Sequence, residues 1–388
     1  MRLAVYGGSF NPPHLGHIEA ARKAAKELRA DQLVVVPAAR PPHKDTEPGS
    51  PSPEERFALS QLAFSGVPNA EVSNLELTRP GRGYTVDTLE ALHKKYPHAD
   101  FFLLMGEDMF LSFETWRDFR RILALSALAV FPREKASLPK IRKAMARYEK
   151  EYGARCVEIG YTPVAVSSTE LREALKNRGG NEFVPENVYE EIIRHRFYDA
   201  QPNFVWLRKQ SYACLDPKRV PHVQGCEQEA VRLAERWGAD CALAAEAGIL
   251  HDITKKLKGP EQLRLCEKYD IITDNDEKAN YRLLHAKTGA AYAREHFGIG
   301  DEVYNAIWWH TTGCPDMTLL EKIIYMADYM EPTRDFEGVG VLRRLAYEDL
   351  DAAIIKGLEM SLEEVSANGM RPHENTVQAL QWLREHRK

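Results

Sequence analysis

Apolar residues in the first 200 positions fall in short runs: Leu3–Tyr6, Leu33–Pro37, Phe101–Met105, Ala127–Phe131 and Cys156–Ile159, with Val72–Leu77 as a further candidate. Runs of this length between turn residues predict strands buried on both faces. Between them the period becomes helical over Ile18–Leu28, Thr85–Tyr96, Pro139–Tyr152 and Asn187–Phe197. Ser52-Pro53-Glu54-Glu55 announces another helix, with Ser as N-cap, Pro in the first turn and acids beside the positive dipole end, running on through Phe57, Leu59 and Leu62. Strands that alternate with helices predict an α/β, doubly wound parallel sheet. Ligands of such sheets bind outside the carboxyl ends of the strands, near a switch in strand order.

From Phe204 onward the alternation stops. Helical patterns follow one another over Cys226–Trp237, Cys241–Leu257, Pro260–Tyr269, His285–Phe297, Glu302–Trp309, Leu319–Met330, Leu350–Val365 and Asn375–His386, which predicts an all-α half. Asp199-Ala200-Gln201-Pro202-Asn203 is a short polar stretch with a proline, so the expected domains are 1–199 and 204–388. A length of 388 residues exceeds what one core normally serves, in agreement with two domains. The net charge of −5 disfavours a dedicated nucleic-acid binder. The six cysteines form no CxxC pair and read as reduced thiols, which predicts a cytoplasmic protein. The N-terminus passes straight into a strand without a signal-peptide pattern, and no apolar run approaches the length of a membrane span, so no membrane partner is expected.

The chemistry of the first half centres on Gly7-Gly8-Ser9-Phe10-Asn11-Pro12-Pro13-His14-Leu15-Gly16-His17, between the first strand and the first helix. A helix start offers free backbone N–H groups and positive potential, which suits phosphate. Gly7 and Gly8 let the main chain approach a ligand, and His14 and His17 can donate to phosphate oxygens as charge develops. Lys44, in the Pro-rich loop after the second strand, is a candidate phosphate partner or simply a solvated lysine. Ser167, Ser168 and Thr169 open a later helix with Arg172 one turn in, so a second helix start can also bind phosphate, although an ordinary capped helix has the same pattern. The chain has neither a GxxxxGK[ST] P-loop nor a GxGxxG fingerprint, which removes support for ATPase-type and dinucleotide-oxidoreductase readings.

The Gly7–His17 stretch resembles the signature of the HxGH nucleotidyltransferases, and its flanks resemble bacterial nicotinate-nucleotide adenylyltransferases over about residues 1–199. The resemblance implies a Rossmann-like nucleotidyltransferase fold and transfer of AMP from ATP, with its Mg²⁺, to nicotinate mononucleotide. It implies that Gly7, Gly8, Ser9 and Phe10 line the nucleotide site. It also implies that Thr85, in Tyr84-Thr85-Val86-Asp87-Thr88-Leu89, lies in the nicotinate pocket. By the same resemblance Asp108, in Gly106-Glu107-Asp108, contacts the nucleotide, and Trp116 packs against nicotinate. Without it, Thr85 reads as a helix N-cap and Trp116 as a core residue.

In the second half, His251-Asp252 ends an apolar helix, and His222, His285, His310 and Asp328 lie in or beside other helices. Imidazole and carboxylate without thiolate suit iron, manganese or similar metals, and an Asp beside a His can bridge two ions. Val220-Pro221-His222, Ile249-Leu250-His251-Asp252-Ile253-Thr254-Lys255, Leu283-Leu284-His285, Trp309-His310-Thr311-Thr312-Gly313 and Ala327-Asp328-Tyr329-Met330-Glu331-Pro332 form an ordered series. It resembles the HD-domain metallophosphohydrolases, in particular the bacterial symmetrical diadenosine tetraphosphate hydrolases, over about residues 204–388. The resemblance implies two transition-metal ions, iron by that likeness, on His222, His251, Asp252, His285, His310 and Asp328. Lys255 and Arg334 are candidates for substrate phosphate. The expectation is therefore a bifunctional enzyme acting on small nucleotides, with room for a homo-oligomer. Its alternatives are an adenylyltransferase for another phosphate acceptor fused to an HD nucleotidase or phosphodiesterase, or to a regulatory nucleotide-binding module without chemistry.

Overall fold

The computed structural model describes every residue except 40–48, 80, 82, 133, 134, 161–163, 165 and 388, and the side chains of 135 and 279. Lys44 therefore lies outside the described residues. The chain divides into two compact units, Met1–Gln201 and Pro202–Lys388.

The first unit alternates strand and helix: β1 (Arg2–Gly8), α1 (Leu15–Glu27), β2 (Gln32–Pro37), α2 (Pro53–Phe64), β3 (Ala70–Val72), α3 (Thr85–Lys95), β4 (Asp100–Gly106), α4 (Glu107–Leu111), α5 (Phe119–Leu125), β5 (Ala127–Phe131), α6 (Leu138–Tyr152), β6 (Cys156–Glu158), α7 (Ser168–Lys176) and α8 (Glu186–His195). The strands form one sheet in the order β3-β2-β1-β4-β5-β6, and every pairing is parallel. From β1 the order runs one way to β2 and the other way to β4, so the switch lies between β1 and β4. Leu3, Val5, Leu103, Leu128 and Val130 are almost fully buried, under helices that contribute Leu89, Phe110, Ile141 and Tyr148. Ser52 caps α2 as its sequence predicts: its side chain accepts from Glu55 N, and Glu55 returns a bond to Ser52 N.

Two expectations need correction. Val72–Leu77 is not a strand: pairing with β2 covers only Ala70–Val72, and the chain then turns, with Leu77 N and Thr78 N both donating to Asn74 O. Thr85 is not an N-cap; Tyr84 holds that position with extended φ/ψ, and Thr85 begins the helix.

The second unit is helical: α9 (Phe204–Ala213), α10 (Val220–Trp237), α11 (Cys241–Leu250), α12 (Gly259–Lys268), α13 (Asn275–Ala279), α14 (Leu284–Phe297), α15 (Asp301–Trp309), α16 (Leu319–Met330), α17 (Val339–Glu348), α18 (Leu350–Ala367) and α19 (Glu374–His386). Sequence periodicity did not reveal α9, α13 or α17, and it placed the start of α10 too late. It also carried α11 on to Leu257, whereas the helix ends at Leu250 and residues 251–256 are turns. That early end turns His251 and Asp252 out of a regular helix. Among the described residues no helix is long and apolar enough to cross a membrane.

Candidate active sites

The end of β1 and the start of α1 put Gly7–His17 at the carboxyl edge of the sheet, beside Gly106 at the end of β4. His14 is the N-cap of α1. Its backbone N–H donates to His17 Nδ1 at 3.3 Å. An imidazole that accepts at Nδ1 carries its proton on Nε2, so His17 presents an N–H donor. The two rings lie with centroids 3.7 Å apart. Gly16 makes that stacking possible, because a Cβ there would stand 3.0 Å from Cε1 and Nδ1 of His14. Val166, just before α7, lies beside Gly16 at the start of α1. The starts of α1 and α7 therefore adjoin.

Burial pushes His14 down to about 4, and burial followed by the neighbouring His14 holds His17 well below the usual imidazole range. Both are neutral at pH 7. The unfolded chain binds the His14 proton near pH 6.5 and the folded chain only near 4. Between those values the unfolded state holds more protons, so stability falls with acidification. The gap corresponds to about 3 kcal/mol for this buried group. In denaturant titrations from pH 7 to pH 4, the first unit should lose about that much more stability in the wild type than in His14→Gln. Parallel pH profiles would remove the assignment.

Ser167 caps α7, with its hydroxyl and backbone N–H engaged by Glu170, and Ser168 and Thr169 form the first turn. Arg172 is buried, with Nη1 donating to Asn11 O at 2.9 Å and Nη2 to Thr169 Oγ1 at 3.3 Å. The structure thus directs this guanidinium to the backbone of the Gly7–His17 loop. Asp108 is exposed in the first turn of α4, directly after Gly106. Thr85 is half-buried at the start of α3, and Trp116 and Tyr84 pack against the edge of the same core. Ser9 and Phe10 lie in the loop, with the Phe10 ring edge-on to Tyr6 and to His17.

In the second unit five segments converge. His222 lies in the first turn of α10, His251 is the C-cap of α11, His285 lies in the first turn of α14, His310 is the C-cap of α15, and Asp328 is on α16. The four histidines and Asp252 are each at most 5% exposed. Every imidazole is tied through Nδ1: His222 to Glu331 Oε1 at 3.0 Å, His251 to Gly248 O at 2.8 Å, His285 to Arg282 O at 2.5 Å and His310 to Ile307 O at 2.6 Å. A carbonyl only accepts, so Nδ1 holds the proton in His251, His285 and His310, and their Nε2 lone pairs face inward. The Nε2 atoms of His222 and His251 are 3.2 Å apart, and those of His285 and His310 are 3.1 Å apart. Two nitrogens at metal-bond length from one ion, at tetrahedral to right angles, stand roughly 3.0–3.4 Å apart.

Asp252 lies between these pairs. Its Oδ2 is 3.6 Å from His222 Nε2 and 3.5 Å from His251 Nε2, and its Oδ1 is 3.2 Å from His285 Nε2 and 3.9 Å from His310 Nε2. Asp328 Oδ1 joins the first pair, 3.0 Å from His222 Nε2 and 3.8 Å from His251 Nε2. Oδ1 of Asp252 is buried with no hydrogen-bond partner among the described residues. Burial alone would raise the Asp252 carboxyl, but His251 and His285 hold it well below its usual range. His310 is pushed down to about 3 by burial, then by His285 and His251, so its imidazole is neutral at pH 7. Four inward Nε2 atoms around a carboxylate with an unpartnered oxygen fit a pair of divalent cations.

Three cations edge this cluster. Arg219 Nε reaches Asp252 Oδ2 at 2.6 Å, Arg334 Nη2 reaches Asp328 Oδ1 at 2.8 Å, and Lys255 Nζ lies 3.0 Å from His285 Nε2. Arg219 and Glu331 belong to no spacing that sequence alone would mark. Glu331 is fully buried and also takes the Thr333 backbone N–H. Space for it comes from Gly225, where a Cβ would stand 2.3 Å from Glu331 Oε2. A separate group, Asp274, Glu277 and His373, has another chemistry. His373 Nδ1 accepts from Asn375 N, so Nε2 bears the proton toward Asp274 at 3.0 Å, while Glu277 pairs with Lys287 at 2.7 Å.

Comparison with known proteins agrees with both halves. Residues 5–174 match the cytidylyltransferase-like family model and residues 219–333 match the HD domain model. A Mycoplasma pneumoniae protein named probable nicotinate-nucleotide adenylyltransferase/Ap4A hydrolase is 27% identical over 356 residues, which covers 90% of this chain and 96% of that protein. A Thermus thermophilus protein named probable nicotinate-nucleotide adenylyltransferase is 36% identical over 204 residues, 51% of this chain and all of that protein. A crystal structure from Clostridium acetobutylicum, described as a predicted HD superfamily hydrolase involved in NAD metabolism, is 37% identical, covers 47% of this chain and 98% of its own, and has a TM-score of 0.46. Over about half its length the chain belongs to the nicotinate-nucleotide adenylyltransferase family, and over residues 219–333 it carries an HD domain.

Proposed function

We propose that the first half transfers AMP from ATP to nicotinate mononucleotide, and that the second half hydrolyses diadenosine tetraphosphate symmetrically. In the first reaction a phosphate oxygen of the mononucleotide attacks the α-phosphorus of ATP. The bond to the β,γ-diphosphate breaks, pyrophosphate leaves, and no covalent enzyme intermediate is needed. ATP enters with Mg²⁺ as the substrate complex. The observation that carries this reading is the His17 tautomer, whose Nε2–H is offered at the carboxyl edge beside the switch in strand order. Neutral His14 and His17 donate to phosphate oxygens as charge develops, and the starts of α1 and α7 supply backbone N–H groups. Arg172 holds the loop from behind, Asp108 meets the nucleotide, and Thr85 and Trp116 take the nicotinate ring.

In the second half His222, His251 and Asp328 would hold one ion, His285 and His310 the other, and Asp252 would span both. Iron suits this nitrogen and oxygen donor set. Such a pair of ions, when bound, activates water and stabilises charge on a phosphoryl group. Lys255, Arg219 and Arg334 neutralise the remaining polyphosphate. A complete, oriented donor set counts against a module without chemistry. The six free cysteines support a cytoplasmic setting.

The test uses the purified full chain. With ATP it should convert nicotinate mononucleotide far better than the nicotinamide form, because a site arranged for a carboxylate leaves donors unpaired against an amide. Equal efficiency would remove the acceptor assignment. Diadenosine tetraphosphate should give ADP alone, whereas ATP plus AMP would overturn the symmetrical reading.

A further inference from the structure

We propose that Arg56 and Tyr198 are positioning residues for adenylyl transfer, which yoke the Ser9–Asn11 loop to the chain on either side of residues 40–48. The proposal rests on the adenylyltransferase reading of the first half. Arg56, on α2, is 2% exposed and donates from Nη1 to Ser9 O at 2.8 Å and from Nη2 to Ala39 O at 3.0 Å. Tyr198 is 1% exposed and donates from Oη to Asn11 Oδ1 at 2.8 Å, while its backbone N–H donates to Gly49 O at 2.7 Å. Each residue therefore bridges one end of the loop to one flank of residues 40–48. Asn11 Nδ2 adds a bond to Ser50 Oγ at 3.1 Å on the Tyr198 side.

The geometry has a cost. Arg196, Tyr198 and Asp199 have φ of 50°, 63° and 56°, a left-handed run that side chains rarely adopt. Such strain persists only where the surroundings over-determine it. Here it delivers the Tyr198 ring into the interior under the loop. The effect on the loop follows from peptide geometry. In a trans peptide the C=O and the next N–H point in opposite directions. Arg56 on Ser9 O thus turns the Phe10 N–H the other way. Arg172 on Asn11 O acts as a third tie. The loop's carbonyls, which would repel phosphate, are held on guanidinium groups. Arg56 spans two carbonyls as only a fork of donors can, so lysine is not equivalent to it.

The test uses the full chain with Tyr198→Phe, Asn11→Ala, the double variant and Arg56→Lys. Tyr198→Phe removes one hydroxyl and should lower kcat for adenylyl transfer about tenfold, with KM for ATP within about twofold. Amide exchange over residues 9–17 should become about tenfold faster. Asn11→Ala should lose at least as much, because it also gives up the Ser50 bond, and the double variant should be no worse than about twofold below Asn11→Ala, since the Tyr198–Asn11 bond is already gone there. Arg56→Lys should accelerate exchange in the same residues. Hydrolysis by the second half should be unchanged, and a KM for ATP within about twofold reports that the first half of each variant is folded. Wild-type kcat and exchange in Tyr198→Phe, or losses that multiply in the double variant, would overturn the yoke. If the wild type transfers no AMP, the adenylyltransferase reading falls by itself. Exchange then decides for the yoke, with faster exchange in both Tyr198→Phe and Arg56→Lys supporting its hold on the loop and unchanged exchange overturning it.

Discussion

Asp252→Ala should leave the chain unable to split diadenosine tetraphosphate and unable to retain either ion. The expectation follows from how the carboxylate is shared. One oxygen faces His222 and His251, and the other faces His285 and His310. Its removal takes an anionic donor from both pairs and leaves four inward lone pairs around two positive charges with one carboxylate, Asp328, on one side only. The loss should exceed the roughly 10–100-fold penalty of changes outside the ligand set. Arg219 also loses its partner there and becomes a cation beside the vacated position. His310→Ala should behave differently, giving up mainly the ion shared with His285. Elemental analysis for metal per chain, beside both activities on one preparation, separates the cases. A full metal complement in Asp252→Ala, with hydrolysis at the wild-type rate, would defeat the bridging role. Adenylyl transfer should persist in both variants.

His17→Ala should slow adenylyl transfer by roughly 10²–10³, or about 2.7–4 kcal/mol in barrier, by analogy with removal of one preorganised oxyanion donor. Its Nδ1 is occupied by the His14 N–H, so the proton on Nε2 is what the alanine variant lacks. The change should fall on kcat more than on KM, because the donor matters most where charge develops. The variant also loses the acceptor for the His14 N–H, so His17→Asn, which can still accept that bond, separates positioning from donation. Near-wild-type transfer in His17→Ala would end the assignment.

Much of this was legible before any coordinates. The buried strands announced themselves because a parallel sheet covered on both faces needs continuous apolar runs, as in Leu3–Tyr6 and Ala127–Phe131. Edge elements were harder. β3 has only three paired residues, too few to produce a pattern, and the more apolar stretch after it is a turn. The imidazoles and carboxylates that converge in the second unit could be named from their flanks, yet the division of Asp252 between two imidazole pairs depends on the end of α11 at Leu250, which the apolar run concealed. Glu331, Arg219, Arg56 and Tyr198 were not legible as site residues. Each acts on a partner distant in the chain: Glu331 on His222, Arg56 on Ser9 and Tyr198 on Asn11. No local periodicity encodes such a meeting.

Three of the four imidazoles are oriented by a carbonyl three residues earlier: His251 by Gly248, His285 by Arg282 and His310 by Ile307. The orienting group there is main chain and does not change when side chains are substituted. His222 alone depends on a replaceable side chain, Glu331, and on the empty Cβ position at Gly225 that admits it. The two sides of the proposed two-ion site are therefore unequally exposed to mutational drift. The orientation of His285 and His310 survives substitution of neighbouring side chains, whereas that of His222 depends on Gly225 and Glu331 together, 106 positions apart, since 331 − 225 = 106.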